Sequence, residues 1–515
     1  SSERPPQVQE SLERCRAIAM GRSFVAACWF GLLTTPAALG YRAAVFEHQA
    51  VSPCGSGSCG PEQNAASLEV YEEAAANASA LGCQVIVFPE YGITGFSTLG
   101  RQAWISGGYA EEVPEATGQE LCKATLLPAA QHIGRRYASA TRLSCIAQRH
   151  KLVVVANLME HANGRLFNTD LAFDSGGTFL AKYRKQNLWD ESEVDTPEVC
   201  EVVSFTTSIG VEFGLFTCAD MIYKHPASNL LAQGIRNFAV PVAWNNGMSQ
   251  MQVLGYAQGW SLLNSANLLM ANHLSTDESG SGIFVRGASL ASRYDVSGQT
   301  AALLIAAVPD EGAGAVRSSS LASAGKSPHR ILTSQGSAVA QPWRFSPLAN
   351  RKVCLGKICC VADAVHASAA DGFSLAVLSG VDTGGGQSWP AQACAVLPCS
   401  KPDARCLDMQ YPPHSALHGI TLVMQGSEDD GELDVDNTII PEVIAYDAQS
   451  DTELLLGIGP GGSDTFVLTE VSGAPALQVN ATQHALLSVV MYKRLFDKDK
   501  LSYSCPDPTL EALLV

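Results

Sequence analysis

Charged side chains are scarce in this chain. Asp, Glu, Lys and Arg make up 16% of 515 residues, against 46% hydrophobic, and their imbalance leaves a formal charge of −17. That hydrophobic share belongs to a globular protein rather than a disordered one. A uniformly acidic surface repels phosphate backbones, which argues against nucleic acid as a partner. Internal repeats of fixed period are missing, which removes the solenoid and propeller classes. The cysteines lack the paired CxxC spacing of a zinc site, and no metal or cofactor is expected. The C-terminus, CPDPTLEALLV, has neither a hydrophobic tail nor a lipidation box, so no membrane anchor is evident.

Long apolar runs are also missing, with one exception. MGRSFVAACWFGLLTTPAALG begins at Met20 with Arg22 close behind, is apolar from Phe24 to Leu33 and ends in small residues. It is short for a bilayer span and has the three regions of a secretory signal. Residues 1–40 are therefore read as an upstream extension and signal peptide, and the protein as secreted or luminal. Cysteine, by contrast, is plentiful, with 16 in the chain. In an oxidising compartment cysteines pair, and six cluster late: Cys354, Cys359, Cys360, Cys394, Cys399 and Cys406. Asn77-Ala78-Ser79 and Asn480-Ala481-Thr482 make Asn77 and Asn480 glycosylation candidates.

From Tyr41 strand and helix patterns alternate. YRAAVFEH, CQVIVFPE, KLVVVANLME, VEFGLFTC, NFAVPVAW and NLLMANHL read as strands, with helical periodicity over 61–82, 119–150, 225–235 and 250–266. FNTDLAFD and TFLAKYRK flank a Ser175-Gly176-Gly177 turn, a hairpin pattern. Such alternation implies a layered α/β domain over 41–308. Residues 309–342, rich in Gly, Ser and Ala, read as a linker or loop. Short strand-like runs then dominate 343–515, which implies a second, mostly β domain stapled by disulfides.

Chemistry in a layered α/β domain gathers where strands end. VIVFPEYG puts Glu90 just past one strand, LAKYRKQNLW puts Lys185 at the end of another, and GLFTCADM puts Cys218 at a third. A thiol with a pKa of about 8.5 needs help to become a nucleophile. A carboxylate can take its proton, and an ammonium can support the oxyanion that forms on the attacked carbon. The backbone N–H of Ala219 is a second oxyanion donor in this scheme.

The frames FPEYG, KYRKQNL and FTCADM resemble the three signatures of the nitrilase superfamily of carbon–nitrogen hydrolases. RLFNTDLAFDSGGTFLAKYRKQNLW, FGLFTCADMIYKHPA, VPVAW and SGSGIF look like its vanin and biotinidase branch. The resemblance implies an α-β-β-α sandwich followed by a disulfide-bearing β domain. It implies Glu90 as general base, Lys185 as the oxyanion-side cation and Cys218 as nucleophile. Glu193 falls where the superfamily often has a second acidic residue, and the neighbouring Glu191 could serve with a small register shift. Cys122 and Cys145 resemble a further disulfide pair of the branch. Tyr91 and Trp244 are candidate pocket walls. The loop after Glu90, YGITGF, departs from the branch and should border the pocket.

The branch implies a small-molecule amide substrate: pantetheine first, biotin amides such as biocytin second, hydrolysed or passed to an acceptor through a thioester. A catalytically retired binding or structural subunit is the alternative of another class. The resemblance leaves a monomer or a homodimer open.

Overall fold

The chain is described here by a computed structural model. It covers 40–505 apart from 54–58, 97–99, 125–133, 135, 249, 276–277, 296–297, 299, 310–321, 327–342, 368–371, 399–416, 427–438, 448–451, 460–462 and 501–504. The expected signal segment and Cys399 and Cys406 lie outside the described residues.

Two six-stranded sheets form the centre of the first domain. One has the order β12-β1-β2-β3-β4-β5, with β1 Tyr41–Glu47, β2 Val85–Val87, β3 Val153–Ala162, β4 Arg165–Phe173, β5 Phe179–Arg184 and β12 Ala302–Val308. The other runs β11-β10-β9-β8-β7-β6, with β6 Val203–Thr206, β7 Glu212–Leu215, β8 Asn237–Val242, β9 Asn267–Asn272, β10 Ser281–Val285 and β11 Ala288–Arg293. Side chains alternate across a strand, and here both faces are apolar. Ala43, Val45, Val85, Val87, Val153 and Val155 meet Phe213, Leu215, Phe238, Val240 and Met270 of the opposite sheet. Their neighbours Ala44, Phe46, Ile86, Phe88 and Val154 turn outward onto Leu68, Tyr71, Ala75, Leu143 and Ile146. Those residues lie on helices Gly60–Ala80 and Ala138–His150. On the far side, helix Val253–Leu263 covers the second sheet, with Trp260 against Phe216 and Phe238. The layers are therefore α-β-β-α, as expected.

Direction within the sheets decides where loops emerge. β1, β2 and β3 are parallel, as are β7, β8 and β9. β5 is antiparallel to β4, which is antiparallel to β3, so β5 runs with β3. The residues that follow β2, β3 and β5 consequently leave at one end of the first sheet.

The second domain is a sandwich of a seven-stranded and a six-stranded sheet. Leu375, Val377, Cys394, Val396, Val489 and Met491 face its own core. Ala376, Leu378, Ala393, Ala395, Val490 and Tyr492, one residue out of step on the same strands, belong to the core of the first domain. The two sequence-defined domains thus share one continuous apolar interior. Disulfides Cys354–Cys359 and Cys360–Cys394 lie in the sandwich, and Cys122–Cys145 lies in the first domain. Cys200–Cys505 joins the two domains across 305 residues; neither cysteine stood out in the sequence, because nothing local marks a partner so distant.

The segment 309–342 differs in part from the linker expected. Ala322–Lys326 forms a strand paired with Thr452–Leu455. Backbone N–H and C=O groups pair whatever the side chains, so a Ser/Ala/Gly run can complete a sheet edge.

The domain junction is tight enough to test. A Cβ on Gly259 would sit 2.2 Å from the Pro441 carbonyl oxygen. Gly259→Ala should lower unfolding free energy by about 1–3 kcal/mol through overpacking, read as a depressed Tm in thermal denaturation.

Candidate active site

Four loop starts converge between the ends of the sheets. Glu90 follows β2, Lys185 follows β5, Cys218 follows β7 and Ala243 follows β8. All four are buried or nearly so, with Glu90 1% and Lys185 2% exposed.

Lys185 Nζ donates to Glu90 Oε1 at 2.8 Å and to Glu191 Oε2 at 2.6 Å. Glu90 Oε1 also accepts from Asn168 Nδ2 at 2.7 Å, and its Oε2 accepts from the Ala243 N–H at 2.8 Å. Glu191 accepts further bonds from Asn168 Nδ2, the Tyr91 hydroxyl and the Trp189 N–H. Asn168 is aimed by Asn157 Nδ2, which donates to its Oδ1 at 2.6 Å and to Asp170 Oδ1 at 2.8 Å. The frame is closed by Thr217, whose hydroxyl donates to Asp170 Oδ2 at 2.7 Å.

Cys218 opens a 3₁₀ turn, Cys218–Ile222, in the left-handed region with φ of 46°. That conformation costs energy for a non-glycine residue and persists only where the surroundings fix it. Asp220 does much of the fixing. Its carboxylate accepts from the Thr217 N–H, the Tyr183 hydroxyl and both the N–H and side chain of Asn187. The aspartate two residues after the cysteine therefore ties the thiol-bearing turn to the loop that carries Lys185. Burial pushes Asp220 up to about 6.

The charges in the site push one another apart. Burial would lower Lys185, but Glu191 and Glu90 outweigh it and hold the ammonium well above the ordinary lysine value. Burial raises Glu90, and the charge of Lys185 opposes that only in part. Burial acts upward on Glu191 too, but Lys185, Tyr91 and the Trp189 N–H bring it below the ordinary value. Burial pushes the Cys218 thiol well up, with the Glu90 charge adding to it and Lys185 and the Ala243 N–H opposing. Two carboxylates with pKa values moved in opposite directions are the pattern of one proton carrier and one fixed charge. A thiol held protonated needs a base at the moment of attack.

A small cleft, with about 20 Å³ of room for water-sized centres, opens at Cys218, lined by Trp189, Ala219, Ile222, Ala243, Trp244, Asn245, Met248 and Met251. Trp244 lines this cleft. Tyr91 does not; its hydroxyl is spent on Glu191 and its ring lies on Phe96. Glu193 also departs from expectation: its backbone oxygen accepts from Arg101, and it is Glu191 whose carboxylate reaches Lys185. The chain between Lys185 and Glu191 turns sharply through Asp190 at φ of 54°, which shortens the reach. Asn157, Asn168 and Asp170 went unremarked in the sequence; polar residues inside otherwise apolar strands were the signal. Among the described residues no group of three or more His, Cys, Asp or Glu side chains could hold a metal ion.

A thiol, a buried ammonium and two carboxylates on an α-β-β-α sandwich define a carbon–nitrogen hydrolase. The family model for carbon–nitrogen hydrolases matches residues 50–282. Biotinidase from Takifugu rubripes is 30% identical over 65% of this chain and 73% of its own. Pantetheinase from Bos taurus is 26% identical over 95% of this chain and 96% of its own. Among solved structures an amidase from Nesterenkonia sp. matches 53% of this chain and 91% of its own at 21% identity and a TM-score of 0.40. The chain belongs to the vanin and biotinidase branch of the nitrilase superfamily and is an amide-hydrolysing enzyme.

Glu191→Gln leaves Lys185 with one charged partner, and a buried charge-assisted bond is worth about 1.5–3 kcal/mol. Amide hydrolysis should fall by about 10–100-fold, whereas Glu193→Gln should change kcat/KM by less than about twofold. Steady-state kinetics on the two variants check this.

Proposed function

We propose that this enzyme cleaves a secondary amide of a vitamin-type acid through a thioester on Cys218, with pantetheine as substrate and pantothenate and cysteamine as products. The observation that carries the chemistry is Lys185 clamped between Glu90 and Glu191, with Glu90 held by the N–H of Ala243, which lines the cleft together with Cys218.

The substrate carbonyl carbon sits over the Cys218 sulfur. As the S–C bond forms, Glu90 takes the thiol proton, and the carbonyl oxygen gains negative charge facing Lys185 Nζ and the Ala219 N–H. Each such donor stabilises the transition state by about 2.7–4 kcal/mol. The Ala219 N–H is at the start of the 3₁₀ turn, where backbone donors lack an intrahelical acceptor. Collapse breaks the C–N bond, Glu90 returns its proton to the departing amine, and a thioester remains. Water then loses a proton to Glu90 and attacks the thioester; the S–C bond breaks, Glu90 returns the proton to the departing sulfur, and the acid and the free thiol are released. Lys185 and Glu191 keep their charges throughout, so Glu90 alone shuttles protons among the thiol, the amine and water.

The cleft supports a neutral amide. Among the described residues, its lining apart from the reactive thiol offers one polar side chain, Asn245, among indole, thioether and aliphatic groups. Pantetheine carries no charge near its amide. The match to bovine pantetheinase runs through both domains. A biotin amide is the second reading, favoured by the 30% identity to biotinidase. Four disulfides between described cysteines support an oxidising compartment, hence a secreted or luminal enzyme. No helix among the described residues is long and apolar enough to cross a membrane. Asn77 and Asn480 are exposed, as a glycan would require.

Purified protein should release cysteamine from pantetheine, and Cys218→Ala should stop release while circular dichroism stays unchanged. Release of lysine from biocytin in preference would transfer the assignment to biotin amides; activity surviving in Cys218→Ala would defeat the mechanism. The pH profile is a separate check. Glu90 must be ionised to act, and burial holds it above the usual carboxylate range. The acid limb of kcat/KM should therefore fall away at a pH above that of a free carboxylate, lost as pH drops through the raised pKa.

A further inference from the structure

The cleft is walled by the first domain but braced by the second. Strands Phe373–Gly384 and Gln387–Pro398 pair with Gly384 opposite Gln387. Their connection is therefore the two residues Gly385 and Gly386, at φ of 51° and 73°. Both central residues at positive φ make the tight turn that suits a twisted hairpin. This Gly-Gly tip lies on Trp189. The Gly385 carbonyl accepts from the Asp190 N–H at 2.6 Å. A Cβ on Gly384 would stand 2.4 Å from the outer ring of the Trp189 indole, and one on Gly385 would stand 2.3 Å from the ring-fusion carbon, against the five-membered ring. Trp389 of the same hairpin lies 5.5 Å from Trp189, ring to ring.

The hairpin also holds the opposite wall. The Met248 sulfur is 3.1 Å from the Cβ that Gly384 lacks. Asp382, buried next to the tip, accepts from Gln250 Nε2 at 3.2 Å and from the Tyr492 hydroxyl at 2.8 Å. Trp389 Nε1 donates to that same hydroxyl at 2.6 Å. Met248 and Met251 flank Gln250 and line the cleft. Neither Gly384 nor Gly385 lines it, so the tip stands behind Trp189 and Met248 rather than inside the cleft.

We propose that the Gly384–Gly385 tip of the second domain sets the width of the cleft by seating Trp189, making Trp189 a specificity-determining residue and the two glycines positioning residues. The inference rests on Cys218 being the nucleophile. Bulk added at the tip drives Trp189 forward and narrows the space beyond the reacting carbon. Small groups at that carbon are spared and long ones are rejected. Discrimination by pocket bulk of this kind is worth about 10–200-fold.

Alkylation of Cys218 in the full-length protein reads this without a natural substrate. The sulfur displaces iodide from iodoacetamide or from N-hexyl iodoacetamide, the S–C bond forming as C–I breaks, with the thiol proton leaving through Glu90. Peptide mass spectrometry separates Cys218 from Cys83, the other free thiol among the described residues. Gly384→Ala should slow the hexyl reagent by about tenfold and iodoacetamide by less than about twofold. Adding Trp189→Phe, which lacks the outer ring that the new methyl meets, should restore most of the lost rate. If Gly384→Ala does not fold, Trp189→Ala alone should raise the hexyl-to-small rate ratio by about fivefold. Equal effects on both reagents, or an unmoved ratio, would overturn the inference. A wild-type Cys218 inert to both reagents would instead sink the nucleophile assignment on which it rests.

Discussion

A lysine ammonium buried between two carboxylates is the contact on which the site depends. Lys185 has left water almost completely, and so have Glu90 and Glu191. Any one of the three alone would be a costly buried charge, and removing one member of such a set costs about 3–5 kcal/mol. Together they leave the cluster one negative charge in excess, and that excess has chemical use. It cannot be shared evenly, because Glu191 has Tyr91 and the Trp189 N–H as extra donors while Glu90 faces the thiol. Glu90 is left as the group most ready to accept a proton, and it stands beside the group that must lose one.

The same constraint explains the polar frame around it. Asn157, Asn168, Asp170 and Thr217 sit within strands or at their ends, where an apolar residue would pack as well. Each instead satisfies a lone pair or donor of its neighbour, so that Asn168 can present both carboxylates with one amide. Buried networks of this kind are stable only when every member is satisfied. Asp220 performs the equivalent service for the turn that strains Cys218 into the left-handed region. The second domain joins this machinery through Asp190 and Trp189, one and two residues from Glu191. Its packing and the catalytic cation are thus links of one chain of contacts.

Strand ends bearing Glu90, Lys185 and Cys218 could be recognised in the sequence because short strand-like runs, β-branched before Glu90 and carrying Phe and Leu before Lys185 and Cys218, with a reactive residue at their limit are a local pattern. Helix Gly60–Ala80 and the hairpin of β4 and β5 were legible for the same reason. Glu191 was harder, since a positive φ at Asp190 decides which acidic side chain turns inward, and φ leaves no mark on an aspartate. Tyr91 looked like a wall because aromatics near a site usually are. Its hydroxyl partner lies 100 residues away and has no trace nearby. The contact of the Gly-Gly hairpin tip with Trp189 has no trace in the sequence, because the two lie about 195 residues apart.

Sequence alone determined the chemistry available: which reactive groups the chain owns, that they end buried strands, and that cysteines enough for a disulfide framework follow. These are properties of short segments, where pattern and propensity act over a few residues. Tertiary structure alone decided which carboxylate meets Lys185, that Cys200 joins Cys505, and that strands of the second domain complete the core of the first. Those outcomes depend on distances between segments far apart in the chain, set by strand direction and by the packing of both sheet faces, which no local window contains.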